Sequence, residues 1–277
     1  MNLTEKEPDQ LGTRIGIGRE AEVFNLNHEW VVKLFYNRTA EQIKNEVQIN
    51  QLIYKSGLPV PAAIKAFETN GQLGIVFERL PGKTMLADIS TKPWKIFRYA
   101  KQLAGFHSII HEKSISGLPE QRLQLIENIQ SAEPVNEEIK ILALGILNAI
   151  PKGEQLCHGD YHPDNLIMTG NNLKIIDWTV ASAGNPIADL ALTSIFLLLG
   201  RLPPETPKFT RWAVTIGRKL FHHLYLSHYL KLNPGHKNEY KKWLLPVAIG
   251  RLNEGIVEEQ DRLLAFIQKS YEENNRS

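Results

Sequence analysis

Only one cysteine, Cys157, occurs in the 277 residues, so the chain closes no internal disulfide and suits a reducing compartment. Its thiol follows the apolar Leu156 and reads as a small buried side chain rather than a nucleophile, although His158 is next to it. A charge excess is lacking too. The 32 basic and 30 acidic residues leave +2, which calls for neither a nucleic acid nor a membrane surface as partner. No apolar run is long enough for a bilayer. The longest, Ile187 to Gly200, covers about 14 residues and contains Asp189, where a spanning helix needs roughly 20, so it reads as a core helix. The polar start, Met1 to Gln10, shows no export signal, and a cytoplasmic protein is expected. Internal repeats and low-complexity tracts are missing as well. What is left, 43% hydrophobic and 22% charged, is an ordinary globular composition with length for one large domain or two lobes.

The first third alternates short apolar runs with Gly/Asn turns. Ile15 to Gly18, Glu22 to Leu26, Trp30 to Tyr36, Ala62 to Phe67 and Leu73 to Phe77 read as strands, and Asn70-Gly71 marks a tight hairpin. One helix interrupts them, from about Ala40 to Lys55, opened by a Thr39/Gln42 capping box and closed by Gly57 before Pro59. Ile43, Val47, Ile53 and Tyr54 form its apolar stripe, and Glu46 falls inside that stripe. A carboxylate there needs a cation, and Lys33 in the preceding strand is the candidate. Beyond Leu80-Pro81-Gly82 the pattern turns helical. Helices are expected from about Lys92 to His111, Gln121 to Gln130, Asn136 to Ala149, Ile187 to Leu199, Lys208 to Leu232 and Asn238 to Lys269, the last kinked at Pro246. Glu272 to Ser277 reads as a fraying tail. The predicted architecture is α+β, with a small antiparallel N-terminal lobe at 1–80 and a larger helical lobe at 81–277.

Three clusters carry chemistry. Gly16-Ile17-Gly18-Arg19-Glu20-Ala21 reads as a strand–loop–strand whose small residues let backbone N–H groups approach phosphate oxygens, with Ala21 where a third glycine would sit. Lys33 with Glu46 would hold an ammonium against the phosphates of a nucleotide. The third is His158-Gly159-Asp160-Tyr161-His162-Pro163-Asp164-Asn165, followed by a hairpin around Gly170-Asn171-Asn172 and then Ile176-Asp177-Trp178. This pattern places Asp160 toward an acceptor hydroxyl and makes Asn165 and Asp177 oxygen ligands for Mg²⁺, the parts that phosphoryl transfer requires. The histidines are read as structural. Gly159 and Pro163 rule out a helical metal site at His158 and His162, and no third ligand is evident for His107 and His111.

At these residues the chain resembles the aminoglycoside phosphotransferase/choline kinase-like superfamily, a branch of the protein-kinase-like fold. The matching pieces are HGDYHPDNLI (158–167), IIDW (175–178), GNPIADLA (184–191), FERLPG (77–82) and LAGFHSI (103–109), with the glycine loop, Lys33 and Glu46 upstream. The resemblance implies a bilobal fold in which Asp160 is the catalytic aspartate and Asn165 and Asp177 hold the metal. It further implies that Lys33 holds ATP phosphates, that the backbone from Glu78 to Leu80 meets the adenine, and that Asp189 braces the catalytic loop. His158 matches a structural histidine of that loop. Trp178-Thr179 stands where protein kinases have Phe-Gly, which fits the small-molecule branch.

The reading is therefore an ATP- and Mg²⁺-dependent O-phosphotransferase acting on a small hydroxylated molecule, of aminoglycoside, choline, amino-alcohol or sugar type. No protein partner is expected. A RIO-like protein kinase and a non-catalytic nucleotide-binding regulator are the alternatives. For the acceptor, Glu254, Glu258, Glu259 and Asp261 are the acidic candidates, although Arg251 and Arg262 beside them favour a solvated helix face with i, i+4 pairs. Trp212, Tyr225, Tyr229, Tyr240 and Trp243 are the candidates for an aromatic cage, although aromatics at helical spacing are more often core.

Overall fold

A computed structural model describes residues 11–170, 172–200 and 207–275, apart from the side chains of Lys208 and Glu258. The chain folds as two compact units. One takes the chain up to Thr84 together with Leu166–Thr179; the other takes Met85–Asn165 and Val180 onward.

In the first unit, β1 (Arg14–Ile17), β2 (Ala21–Asn25), β3 (Trp30–Phe35), β4 (Ala63–Thr69) and β5 (Gln72–Glu78) form one sheet in the order β1-β2-β3-β5-β4, every neighbouring pair antiparallel. The β4–β5 turn is Asn70-Gly71, both with positive φ (49° and 77°), the two-residue geometry that matches strand twist. Between β3 and β4 runs α1 (Ala40–Lys55). Its capping box is complete: Gln42 N–H donates to the Thr39 hydroxyl at 3.2 Å and Thr39 N–H to the Gln42 side chain at 2.9 Å. Ile43 joins Ala21, Phe35, Ala63 and Ile75 in the core. The buried face of α1 is Ile43, Glu46, Asn50 and Ile53, so Glu46 does lie among apolar side chains. Tyr54, expected on that face, is instead 49% exposed, because Asn50 takes the inward position and its amide donates to the Glu46 carbonyl.

A second, three-stranded sheet of this unit joins segments far apart in the chain. β6 (Lys83–Thr84) pairs with β8 (Leu166–Thr169), which pairs with β9 (Asn172–Ile175) as the expected hairpin; Asn171 of its turn lies outside the described residues. Gly82 allows β6 to reach β8, since any side chain there would run into the Met168 carbonyl oxygen. The sequence reading places all three strands in the helical lobe at 81–277, while their residues cluster with the first unit.

The second unit is helical. It contains α2 (Met85–Thr91), which the sequence reading did not separate, and α3 (Ile96–His111), preceded by a 3₁₀ turn at Pro93–Lys95. Next come α4 (Gln121–Ser131), α5 (Glu137–Ala149) capped by Asn136, α6 (Pro186–Leu199) capped by Asn185, and α7 (Lys208–Leu232). A two-stranded ribbon pairs β7 (Gln155–Cys157) with β10 (Ser182–Gly184). The long helix expected from Asn238 to Lys269 is two, α8 (Tyr240–Leu252) and α9 (Val257–Asn275). Pro246 lies inside α8; the chain turns at Gly255, whose φ of 68° stops a helix at no steric cost. Glu272 to Asn275, expected to fray, continue α9. No helix among the described residues is long and apolar enough to cross a membrane.

Candidate active site

In the first unit, three side chains gather around the ammonium of Lys33. Lys33 Nζ donates to Asp177 Oδ1 at 2.8 Å and lies 3.7 Å from Glu46 Oε1. Burial alone would push the lysine pKa down, but Asp177 and Glu46 outweigh it and hold it above the ordinary value, so the charge persists. For Glu46, 6% exposed, burial outweighs the attraction of Lys33 and raises its pKa. The sequence reading paired Lys33 with Glu46 alone and missed Thr179. That hydroxyl lies 2.8 Å from Asp177 Oδ1 and 3.0 Å from Glu46 Oε1, bridging the two carboxylates. The signal was the Asp-Trp-Thr spacing, since a hydroxyl two residues after a carboxylate readily turns back to it. Asp177 itself has φ of 65°, a left-handed conformation that a non-glycine residue adopts at a cost and that recurs at functional sites. Trp178 is buried, with its indole N–H on the Ile175 carbonyl at 3.2 Å, which pins the residue after Asp177.

The glycine loop belongs to the same unit. Gly18 N–H bonds the Ala21 carbonyl at 2.8 Å and closes the turn from β1 to β2. A Cβ at Gly16 would come no nearer than 3.5 Å to Val23, and at Gly18 no nearer than 3.4 Å to Ala21, ordinary contact in both cases. The fold itself therefore does not require glycine at either place. The Ala21 methyl points into the core, so only its backbone belongs to the loop. At the end of β5, Glu78 N–H bonds the Ala62 carbonyl and Arg79 N–H the Glu29 carbonyl, whereas among the described residues no acceptor takes the N–H of Leu80.

In the second unit the loop after β7 is built on Asp189, in the first turn of α6. Its Oδ2 accepts the His158 N–H at 2.7 Å and its Oδ1 the Gly159 N–H at 3.0 Å. Burial would raise the Asp189 pKa, but its hydrogen bonds from His107 and His111 outweigh that and hold it well below the carboxylate range. Gly159 has φ of 78°, and any Cβ there would lie 2.6 Å from the Val180 carbonyl oxygen, so the position admits glycine alone. His158 Nδ1 accepts the Asp160 N–H at 3.2 Å, and the Tyr161 hydroxyl reaches the Leu103 carbonyl at 2.9 Å. Asn165 closes the loop. Its Nδ2 donates to Asp160 Oδ2 at 2.9 Å and to the Asp160 carbonyl at 2.8 Å. With the amide nitrogen so engaged, Oδ1 is the atom left as an acceptor. His162 Nε2, 3.5 Å from Asp160 Oδ1, is a neighbour the sequence reading did not assign.

Cys157 is fully buried and burial raises its pKa well above the ordinary thiol value, as its apolar flank suggested. The expected acceptor residues fare differently. Arg251, 9% exposed, takes Glu254 through Nη1 and Glu259 through Nε (3.1 Å) and Nη2 (3.0 Å), and its guanidinium covers Phe196. Those two glutamates are thus held within the unit, and the side chain of Glu258 lies outside the described ones. Of the proposed cage, Tyr225, Tyr229, Tyr240 and Trp243 are buried core, and only Trp212 is exposed.

The antiparallel sheet with one helix, the helical unit and this loop–hairpin–turn arrangement define an α+β protein-kinase-like fold. A model of the phosphotransferase enzyme family matches residues 12–210, and the chain belongs to that family. It is a phosphotransferase, an enzyme of the kinase class. Solved structures agree on the fold. A choline/ethanolamine kinase family protein from Mesorhizobium loti superposes with a TM-score of 0.59 at 13% identity, over 94% of this chain and 85% of that one. The ternary complex of streptomycin, ATP and APH(2'')-IIa gives 0.56 at 17% identity, over 95% and 91%. The macrolide 2'-phosphotransferase MphH from Brachybacterium faecium gives 0.52 at 17%, over 92% and 91%. No curated protein matches the chain by sequence.

Proposed function

We propose that the protein transfers the γ-phosphoryl group of ATP to a hydroxyl of a small molecule, with Asp160 orienting that hydroxyl and accepting its proton. The observation that carries this reading is the grip of Asn165 on Asp160, which aims a carboxylate and an amide oxygen from one loop. Family membership supplies the reaction class. The ATP-bound and aminoglycoside- or choline-related structures that share the fold favour a nucleotide donor and a hydroxylated acceptor.

The first unit is assigned to the nucleotide. Lys33 holds the phosphates, the backbone of Gly16 and Gly18 covers them, and Leu80 N–H with the Glu78 carbonyl meets the adenine edge. Asp177 and Asn165 are each hard oxygen donors of the kind Mg²⁺ takes, the first anionic and the second with its amide nitrogen engaged elsewhere. Mg²⁺ held by such donors would neutralise charge on the phosphates. Glu46 and Thr179 keep Lys33 and Asp177 in place when the lysine shifts its contact from Asp177 to phosphate. The second unit is assigned to catalysis and to the acceptor. Asp160, held through Oδ2, turns Oδ1, with His162 Nε2 3.5 Å away, to the acceptor proton; in a loose transition state this proton leaves late, so orientation outweighs basicity.

The test is ATP consumption across aminoglycosides, choline, ethanolamine, homoserine and sugars, with and without Mg²⁺. Turnover with one class that disappears in Asp160→Asn supports the proposal. Phosphorylation of protein substrates alone would sink it.

A further inference from the structure

Behind the loop lies a buried network that the proposed mechanism does not use. His107 and His111 sit one turn apart on α3, and Tyr225 and Tyr229 one turn apart on α7. All four are buried, with Tyr161 stacked on His107 at 4.1 Å. Each imidazole is held at both ends. His107 Nε2 lies 3.1 Å and His111 Nε2 3.3 Å from Asp189 Oδ2, while His107 Nδ1 lies 2.6 Å from the Tyr225 hydroxyl and His111 Nδ1 2.6 Å from that of Tyr229. The sequence reading saw no third group beside the two histidines; the fold supplies Asp189.

Donor and acceptor roles follow by elimination. Ionised Asp189 only accepts, so both Nε2 atoms must carry hydrogen. A neutral imidazole then presents a lone pair at Nδ1, and the hydroxyl facing it must donate. His107 is neutral: burial, with His111 beside it, lowers its pKa to about 3. Without the tyrosine hydroxyl the Nδ1 lone pair loses its buried partner, and the ring is no longer held with its Nε2–H on the carboxylate. The same carboxylate oxygen accepts the His158 N–H, so a loosened ring acts directly on the loop.

We propose that Tyr225 and Tyr229 are positioning residues whose hydroxyls hold the rings of His107 and His111 against Asp189, and through Asp189 hold the His158-Gly159 backbone that aims Asp160. This rests on the reading of that loop as catalytic. The three ligand-type atoms lie within 4.8 Å of one another, which would suit a metal ion, but every one of them already has a hydrogen-bond partner.

The test combines ¹⁵N-histidine NMR, hydrogen exchange at the Gly159 amide and steady-state ATP turnover on the full chain. In the unaltered protein both rings should be Nε2–H tautomers. Tyr225→Phe and Tyr229→Phe should each weaken the facing Nε2–H bond to Asp189, read as an upfield move of that proton, speed Gly159 exchange about tenfold and lower kcat about tenfold, with KM for ATP held to about twofold. His111→Gln donates to Asp189 through an amide and presents no Nδ1 to Tyr229, so adding Tyr229→Phe to it should cost little more. Nδ1–H rings or a stoichiometric metal in the unaltered protein would overturn the proposal, as would unchanged exchange and kcat in the double tyrosine variant. Asp160→Asn, measured alongside, tests the catalytic reading alone; if it retained turnover, the Nε2–H signals and exchange rates would still decide the role of the tyrosines.

Discussion

At Gly159 two demands meet on one atom. The backbone must take positive φ, and a side chain would collide with the Val180 carbonyl. Gly159→Ala should therefore destabilise the protein by about 1–3 kcal/mol and reduce turnover, read by thermal unfolding and by ATP consumption. Asp160→Asn keeps the shape and removes the proton acceptor; it should lower kcat by roughly 10²–10⁴ with ATP affinity nearly unchanged by calorimetry. Glu259→Gln should behave differently from an acceptor contact. It loosens a buried Arg251 that keeps Glu254, so a loss on the order of 2 kcal/mol is expected, short of the ~3–5 for a fully broken pair, with acceptor KM unmoved. The acidity of the chain's end was plain in the sequence. Its pairing with Arg251 was legible only as a solvated helix face; the helix break at Gly255 instead brings Glu254 and Glu259 to one buried guanidinium.

For single elements, the local signals were the readable ones. Thr39 and Gln42 announced the start of α1, and both capping bonds are present, so Thr39→Ala should lower stability by about 1 kcal/mol, seen as a lower denaturant midpoint. Asn70-Gly71 announced its hairpin by the same local logic. The tilt of a face was harder to read. Tyr54 looks inward on a helical wheel, but the inward place goes to Asn50, whose amide is satisfied by the Glu46 carbonyl. The packing of α3 on α7 was not legible, because nothing in the local sequence says that two histidines one turn apart will find two tyrosines one turn apart. That packing has a pH signature. The folded state keeps His107 unprotonated down to about 3, while the unfolded chain takes a proton near 6.5. Between these values the unfolded state binds more protons, so stability falls as pH falls, by up to about 1.4 kcal/mol per pH unit. His222, lowered to about 4, adds in the same direction. The depressed pKa of Asp189 matters only below its unfolded value of 3.8. Unfolding free energies from pH 7 to 4.5 should show this slope, and His107→Gln should remove about one proton from it.

Over the whole molecule, the motif from His158 to Asp177 is continuous in sequence but divided in the fold. Asp160 and Asn165 belong to the helical unit, and the hairpin with Asp177 belongs to the sheet unit. A single joint near Leu80 is what composition suggests, because the shift from strands to helices is sharpest there. Strand pairing across 83–84 and 166–169 leaves no compositional trace. If the sheet unit holds the nucleotide, an ATP analogue with Mg²⁺ at about 100 times its Kd should add about 2.7 kcal/mol of stability, and Asp177→Ala should abolish most of that gain in a thermal shift.

The chain passes between the two units three times, at Thr84–Met85, at Asn165–Leu166 and at Thr179–Val180. A recombination event that exchanged everything downstream of Thr84 would therefore import a foreign β8–β9 hairpin, and a foreign Asp177, along with any new helical unit. The two halves do not behave as interchangeable cassettes. A hybrid gene would have to restore the β6–β8 pairing before a borrowed specificity could be inherited with a working phosphate site.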